Sequence, residues 1–301
     1  MRTQIKNILV PIDFSQKSKN AMNLAAQMAI RHEAKLILLH ICPTFNLIDR
    51  TGKQVIGAET LQENLTNAEE ELDELKVDLQ IDHNISIQTI IKTENIIDGI
   101  NELVQTENVD LVVIGTSGKQ NLKQLFLGSN SYNVLLNADC SVLLVPENFN
   151  QTFFKKILFP VRVKSELLEK TDLSILLANK NDGDINLLGV ENVNALQNIK
   201  ETFNQIERNL QLKAASFFSE FKSSDDNAKI IATATKENDC VLILLSDQDE
   251  DSWKSFMADN FFKKIINETN VPLFIVKSHL KKINNKSERI TSYDVSLPIP
   301  G

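Results

Sequence analysis

Residues 6–13 read Lys-Asn-Ile-Leu-Val-Pro-Ile-Asp, and residues 155–162 repeat the phrase as Lys-Lys-Ile-Leu-Phe-Pro-Val-Arg, 149 positions later. Working outward, Leu36-Ile-Leu-Leu-His-Ile41 returns as Ile185-Asn-Leu-Leu-Gly-Val190 at the same offset. Farther on, Leu111-Val-Val-Ile114 matches Leu242-Ile-Leu-Leu245, and Ser141-Val-Leu-Leu-Val145 matches Pro272-Leu-Phe-Ile-Val276, both 131 positions apart. The chain is therefore an internal repeat whose second copy is about 18 residues shorter after its second strand. The polar stretch Pro43–Thr60 is the segment expected to be missing. The boundary falls near Asn148–Thr152, which gives domains over 1–148 and 153–278 and a tail over 279–301.

The repeated phrases are apolar runs of four to six residues, the pattern of strands buried on both faces of a parallel sheet. Helical stretches separate them. Ser15 to Ala29 carries Ala21, Leu24, Ala25, Met28 and Ala29 at three- and four-residue spacing, and Leu61 to Leu79 places leucines on one face with Glu-rich positions opposite. Ile96–Glu107 and Asn130–Ala138 complete the set. Alternation of this kind implies right-handed βαβ units. The expected fold class is α/β: two doubly wound parallel five-stranded sheets in tandem, Rossmann-like, each with about four helices. In such sheets ligands bind beyond the carboxyl ends of the strands, where the strand order reverses.

Composition narrows the function. The chain has 301 residues, with 32 Lys+Arg against 40 Asp+Glu and a net charge of −8, which argues against nucleic acid as a partner. No apolar run reaches transmembrane length, so no membrane partner is expected. The opening residues show no signal-peptide pattern, and the three cysteines are widely spaced and odd in number. A cytoplasmic location is the expectation, and no metal site is expected.

Glycine is used sparingly. Three of only nine, Gly115, Gly118 and Gly128, fall within fourteen residues after the fourth strand. Gly115 would let a ligand approach the strand end, and Gly118 would permit a tight loop. Gly128-Ser129 precedes a helix whose free N–H groups and dipole favour an anion. This reads as a triphosphate-sized cradle built from backbone. Strand termination and helix capping would account for the same glycines. Lys119 is followed by Gln120, so this is not a Walker A loop, and a dinucleotide fingerprint would follow the first strand instead.

The stretch VVIGTSGKQNLKQLFLGSNSYNVLLNADCSVLLVP (112–146) resembles the C-terminal signature of universal stress proteins, with Gly-x2-Gly-x9-Gly-Ser matching the family's ATP-binding motif. ILVPIDFS (8–15) resembles the family's first strand and acidic turn. The resemblance implies ATP, with or without Mg, as the ligand. It puts Pro11, Ile12 and Asp13 at the end of strand one, with the Asp13 carboxylate accepting from ribose hydroxyls. It gives Ile41 backbone contacts to adenine and sets Ile114 and Gly115 beside the sugar. It assigns Gly118, Gly128, Ser129, Asn130 and Ser131 to the phosphates. Asp13 as the N-cap of the first helix is the structural alternative. The family's glycine after the third strand is absent from Lys92-Thr-Glu-Asn-Ile96.

In the second copy Asp13 becomes Arg162, Gly115 becomes Ser246, Gly118 becomes Asp249, Gly128 becomes Asp259 and Ser129 becomes Asn260. Carboxylates repel phosphates, so this half is expected not to bind ATP. The run Ser246–Asp251 reads as a solvated acidic loop, with a divalent cation as the alternative, and Trp253, Phe256, Phe261 and Phe262 read as packing residues. Universal stress proteins commonly pair through their last strands. Here Ser141–Val145 and Leu273–Val276 would do so within one chain, hiding a sticky edge and leaving a further homodimer open. His40 reads as a strand-end or core histidine, and Cys42, near the mouth of the site, as a buried thiol with redox sensing as the alternative. The leading expectation is an ATP-binding stress-response protein acting through an unknown protein partner, with no catalytic residue. A slow ATPase or nucleotidyl-transfer enzyme and a nucleotide-free dimerisation scaffold are the alternatives.

Overall fold

The computed structural model describes residues 4–48, 52–82, 85–116, 128–163, 168–192, 199–213, 215–247 and 261–277. The amino-terminal lobe runs β1 (Asn7–Pro11), α1 (Gln16–His32), β2 (Lys35–Ile41), β3 (Phe45–Ile48), β4 (Gly52–Val55), α2 (Ala58–Asp82), β5 (Ile87–Lys92), α3 (Ile96–Thr106), β6 (Leu111–Thr116), α4 (Ser129–Asn137) and β7 (Ser141–Pro146). The second lobe runs β8 (Lys156–Val161), α5 (Leu168–Asn181), β9 (Asp184–Asn192), α6 (Lys200–Leu212), β10 (Phe217–Ser224), α7 (Asn227–Glu237), β11 (Leu242–Ser246), α8 (Phe261–Glu268) and β12 (Leu273–Val276).

The main strands form one ten-stranded sheet in the order β10-β9-β8-β11-β12-β7-β6-β1-β2-β5. Each lobe contributes five parallel strands in the same internal order, with its first strand at the centre. The two five-stranded sheets expected from the repeat are thus fused edge to edge. The seam is the pair expected from sequence: β12 runs antiparallel to β7, with Leu273 opposite Leu144, Phe274 opposite Leu143 and Ile275 opposite Val142. All six of these side chains are buried. Pairing them removes two edges that would otherwise expose backbone donors and acceptors beside apolar side chains.

Both faces of the sheet are covered at its inner strands, which read as apolar runs, whereas the edge strands β5 and β10 are half-buried and mixed in polarity. One core layer joins Val10, Leu38 and Val145 to Val161, Leu187 and Phe274, and the other joins Leu9, Leu39 and Ile114 to Leu158, Ile243 and Ile275. Each layer crosses from one lobe into the other. The polar boundary near Asn148–Thr152 is anchored at its flanks. Phe149 and Phe154 are buried, Asn20 on α1 donates to the carbonyls of Pro146 (3.2 Å) and Phe149 (2.8 Å), and the Phe154 N–H donates to Asn181 Oδ1 (3.0 Å).

One element was not anticipated. The stretch Pro43–Thr60 contains β3 and β4, paired antiparallel in a small separate sheet, and it accounts for only part of the second copy's shortfall, because α6 has 13 residues where α2 has 25. Four residues a side give too short an alternation to stand out in sequence.

Candidate functional site

The strand order reverses between β1 and β6, so the carboxyl ends of β6, β1 and β2 stand side by side. Pro11 pairs with Leu39, and the Ile12 N–H continues the ladder to the Leu39 carbonyl at 2.8 Å. The chain then leaves the sheet through Asp13 and Phe14 before α1 begins. Ser15, not Asp13, is the N-cap of α1, accepting from the Ser18 N–H at 3.4 Å. Asp13 braces that cap, because its carboxylate accepts from the Ser15 N–H (3.2 Å) and from the Ser15 hydroxyl. Burial pushes the Asp13 pKa up, but hydrogen bonds from Ser15 and Ser18 and the charge of Lys17, 3.4 Å away, outweigh it. The net effect holds the carboxyl below its usual range, ionised, with more than half of the side chain exposed. Phe14 adopts φ 58°, a left-handed conformation that non-glycine residues seldom take. Its ring packs on His40 at a centroid distance of 4.7 Å.

The opposite wall is the start of α4. Gly128 is its N-cap, and the Tyr132 N–H closes the first turn onto the Gly128 carbonyl at 3.0 Å. Helix geometry leaves the N–H groups of Ser129, Asn130 and Ser131 without intrahelical acceptors, at the positive end of the helix dipole. Ser129 and Asn130 are exposed. Among the described residues, a Cβ at Gly128 would meet nothing within 4 Å. Its φ of −54° is one any residue adopts, so backbone strain is not why glycine stands there.

Two expectations acquire different physical reasons. Gly115 does not leave space for a ligand at its Cα. A Cβ there would lie 2.3 Å from the Lys17 carbonyl oxygen, so the glycine lets the first turn of α1 sit against β6. Ser131 is buried, and its hydroxyl donates to the Gly115 carbonyl at 2.9 Å, which leaves its backbone N–H as the donor available to an anion. Lys17 and Ser18 thus touch both Asp13 and Gly115. Pro11, Ile12, Asp13, Ile114, Gly115, Gly128, Ser129, Asn130 and Ser131 gather around one switch point, with Ile41 at the end of the adjoining strand. Gly118 lies outside the described residues.

Residues 4–146 match the universal stress protein family. The amino-terminal lobe is thus a universal stress protein domain. It is 27% identical over 158 residues to a universal stress protein of Methanocaldococcus jannaschii, covering 48% of this chain and 97% of the relative. A Synechocystis universal stress protein is 29% identical over 148 residues, covering 46% and 96%. The crystal structure of a universal stress protein from Archaeoglobus fulgidus superposes over both lobes, with a TM-score of 0.74, 17% identity, 91% of this chain and 99% of that one. That likeness shows the same fold over 91% of this chain.

The second lobe carries different chemistry at the corresponding switch point. Arg162, at the position of Asp13, lies over the Phe261 ring at 3.9 Å from its centroid. Phe261 begins α8, where the first lobe has Asn130. Lys170 is fully buried and donates to the Pro160 carbonyl at 2.7 Å. Gly189 stands where the first lobe has His40, and a Cβ there would lie 2.3 Å from Phe221 Cδ2, so a phenylalanine fills that space. Ser246 and Asp247 are buried. Asp249, Asp251, Trp253, Phe256, Asp259 and Asn260 lie outside the described residues, as does the tail over 279–301.

Sequence reading missed Phe14 as a site element, since nothing in a sequence marks a phenylalanine for a left-handed turn. It also missed the cluster of Lys92 with Glu94 (3.0 Å) and Glu102 beside Ile41, whose signal was the charged loop after β5. All three cysteines are free and buried. Burial raises the Cys42 pKa and pushes that of Cys240 to about 12, which disfavours reactive thiolate. Among the described residues no group of three or more metal-ligating side chains occurs, and no helix is long and apolar enough to cross a membrane.

Proposed function

We propose that the amino-terminal lobe binds ATP as a regulatory ligand, one nucleotide per chain, in a cytoplasmic stress-response protein. The observation that carries this reading is the meeting of an exposed, ionised carboxylate, Asp13, with the amino end of α4 at one topological switch point. A carboxylate accepts two hydroxyl hydrogens, as a ribose offers. A helix amino terminus with free N–H groups takes an anion. A nucleotide satisfies both at once. Asp13 holds the ribose, with Pro11 and Ile12 beside it and Ile114 and Gly115 flanking the sugar. The backbone at Ile41 meets the adenine. Gly118, Gly128 and the N–H groups of Ser129, Asn130 and Ser131 take the phosphates.

The second lobe supports a stoichiometry of one. The residue that would accept from ribose is replaced by a cation, and that cation is stacked on an aromatic ring standing where the anion-binding helix would begin. Titration of the full-length protein with ATP by calorimetry tests this reading. One saturable site per chain, weakened at least about tenfold by Asp13→Ala (a charge-assisted hydrogen bond lost), is the expected result. No saturation at millimolar ATP, or two equal sites per chain, rejects it.

A further inference from the structure

The helix that offers its amino end to phosphate is held from the other lobe. α4 has only nine residues, too few to persist as a helix in water on its own, and its Gly128 N-cap supplies no side-chain hydrogen bond. Its position therefore depends on what it touches. Its own lobe buries Val134 and Leu135, ties Ser131 to the Gly115 carbonyl, and bonds the Asn137 carbonyl to Asn101 Nδ2 at 3.0 Å. The second lobe grips both ends. At the carboxyl end, Lys277, directly after β12, donates through Nζ to the carbonyls of Leu135 (2.5 Å) and Leu136 (3.4 Å). These are among the last carbonyls of the helix, which lack intrahelical donors, and a cation there also complements the dipole. The Lys277 N–H reaches Ser141 Oγ at 3.4 Å, which fixes the lysine at the lobe seam. At the amino end, the Lys263 ammonium of α8 lies over the Tyr132 ring, 4.6 Å from its centroid. Tyr132 is the residue whose N–H closes the first turn of α4.

We propose that Lys263 and Lys277 are positioning residues of the nucleotide site: the second lobe completes a site it does not house. The inference rests on the nucleotide reading above and concerns the phosphate side of that site alone. The two lysines fix the height and tilt of α4 against β6 and so aim the N–H groups of Ser129, Asn130 and Ser131. Asp13 follows β1 and Ile41 ends β2, strands that lie beyond β6 from the lobe seam. Affinity for the phosphates therefore depends on the second lobe, and affinity for the nucleoside does not. This also gives the degenerate copy a reason to be retained without a ligand of its own.

The test uses the full chain with two probes, ATP and adenosine, and hydrogen exchange of the α4 amides without ligand. In the double variant Lys263→Met/Lys277→Met, ATP should bind about five- to twentyfold more weakly, a usual range for coupling between sites. Adenosine affinity should change less than about twofold, and the α4 amides should exchange faster before any ligand is added. Lys277→Arg, which keeps a donor at the helix end, should restore most of the ATP affinity. Lys180→Met serves as the control. It removes another lobe-to-lobe lysine, 3.9 Å from Glu33 at the far side of the sheet, and should leave ATP affinity unchanged. If the Lys277 variant does not fold, Lys263→Met alone removes the ring contact at the amino end and reads the same effect at smaller size. Unchanged ATP affinity in the folded variants, equal losses for ATP and adenosine, or unchanged α4 exchange overturns the proposal while leaving the nucleotide reading intact. A wild-type chain that binds neither probe overturns both.

Discussion

His40 Nδ1 lies 2.9 Å from the carbonyl oxygen of Ile12, across the gap between the ends of β2 and β1. A carbonyl only accepts, so the ring nitrogen carries the hydrogen, and the same ring supports Phe14 in its left-handed turn. One side chain therefore fixes the residues on either side of Asp13. Replacing His40 with Ala should cost about 1–3 kcal/mol of stability, for a lost hydrogen bond and a lost ring contact. His40→Asn, which retains a donor, should recover part of that in urea denaturation. The functional signature is sharper. If His40 holds Asp13 against the ribose, ATP should lose its advantage over 2′,3′-dideoxy-ATP in the Ala variant.

Gly115 and Gly128 should answer differently to the same change. Gly115→Ala drives a methyl group against the Lys17 backbone and should destabilise the fold by about 1–3 kcal/mol or more, because backbone atoms have little room to yield. Gly128→Ala meets nothing within 4 Å among the described residues, has an ordinary φ and should cost less than about 1 kcal/mol. Thermal melts of the two variants decide this, and similar losses in both would contradict the packing described for β6 and α1.

His32 gives the protein an acid-sensitive point. Burial, with the charges of Lys180 and Arg31 nearby, lowers its pKa from 6.5 to about 4. The unfolded chain takes up this proton near pH 6.5, whereas the folded chain resists it until about pH 4. Stability is thus fully present above pH 6.5 and falls as the pH drops through that window, by at most about 1.4 kcal/mol per pH unit. Tm measured between pH 7 and 5, mostly above the carboxylate range, should fall in the wild type. It should fall less in His32→Asn.

The fused sheet predicts cooperative unfolding. Both core layers cross the seam, so calorimetry should show one transition for the two lobes. Phe274 is almost fully buried, opposite Leu143, and Phe274→Ala should cost about 3–5 kcal/mol. Probes in either lobe should shift together. Two separated transitions in the wild type would show that the lobes are independent.

The repeat made most of the architecture legible. Apolar runs recurring at constant offsets marked eight of the ten main strands, while the edge strands β5 and β10 carry polar residues and were not marked. The β7–β12 seam was expected from the family resemblance, and two apolar last strands needed cover. The reasons behind single residues were not legible. Gly115 looks the same in a sequence whether it admits a ligand or a helix, and only the position of Lys17 distinguishes them. A sequence does not say which Ser131 atom faces a ligand, and the structure turns its hydroxyl toward the Gly115 carbonyl. The Arg162–Phe261 stack joins residues nearly a hundred positions apart, and no local pattern announces such a contact. The β3–β4 pair shows how a short insertion can fold on its own account inside a stretch that reads as polar loop.

The β7–β12 seam has one more consequence. Two separate chains meeting edge to edge would part on dilution. Here both edges are on one polypeptide, so each sees the other at a fixed local concentration, in the millimolar range typical of short tethers. Scarcity of the protein in a cell does not loosen the joint.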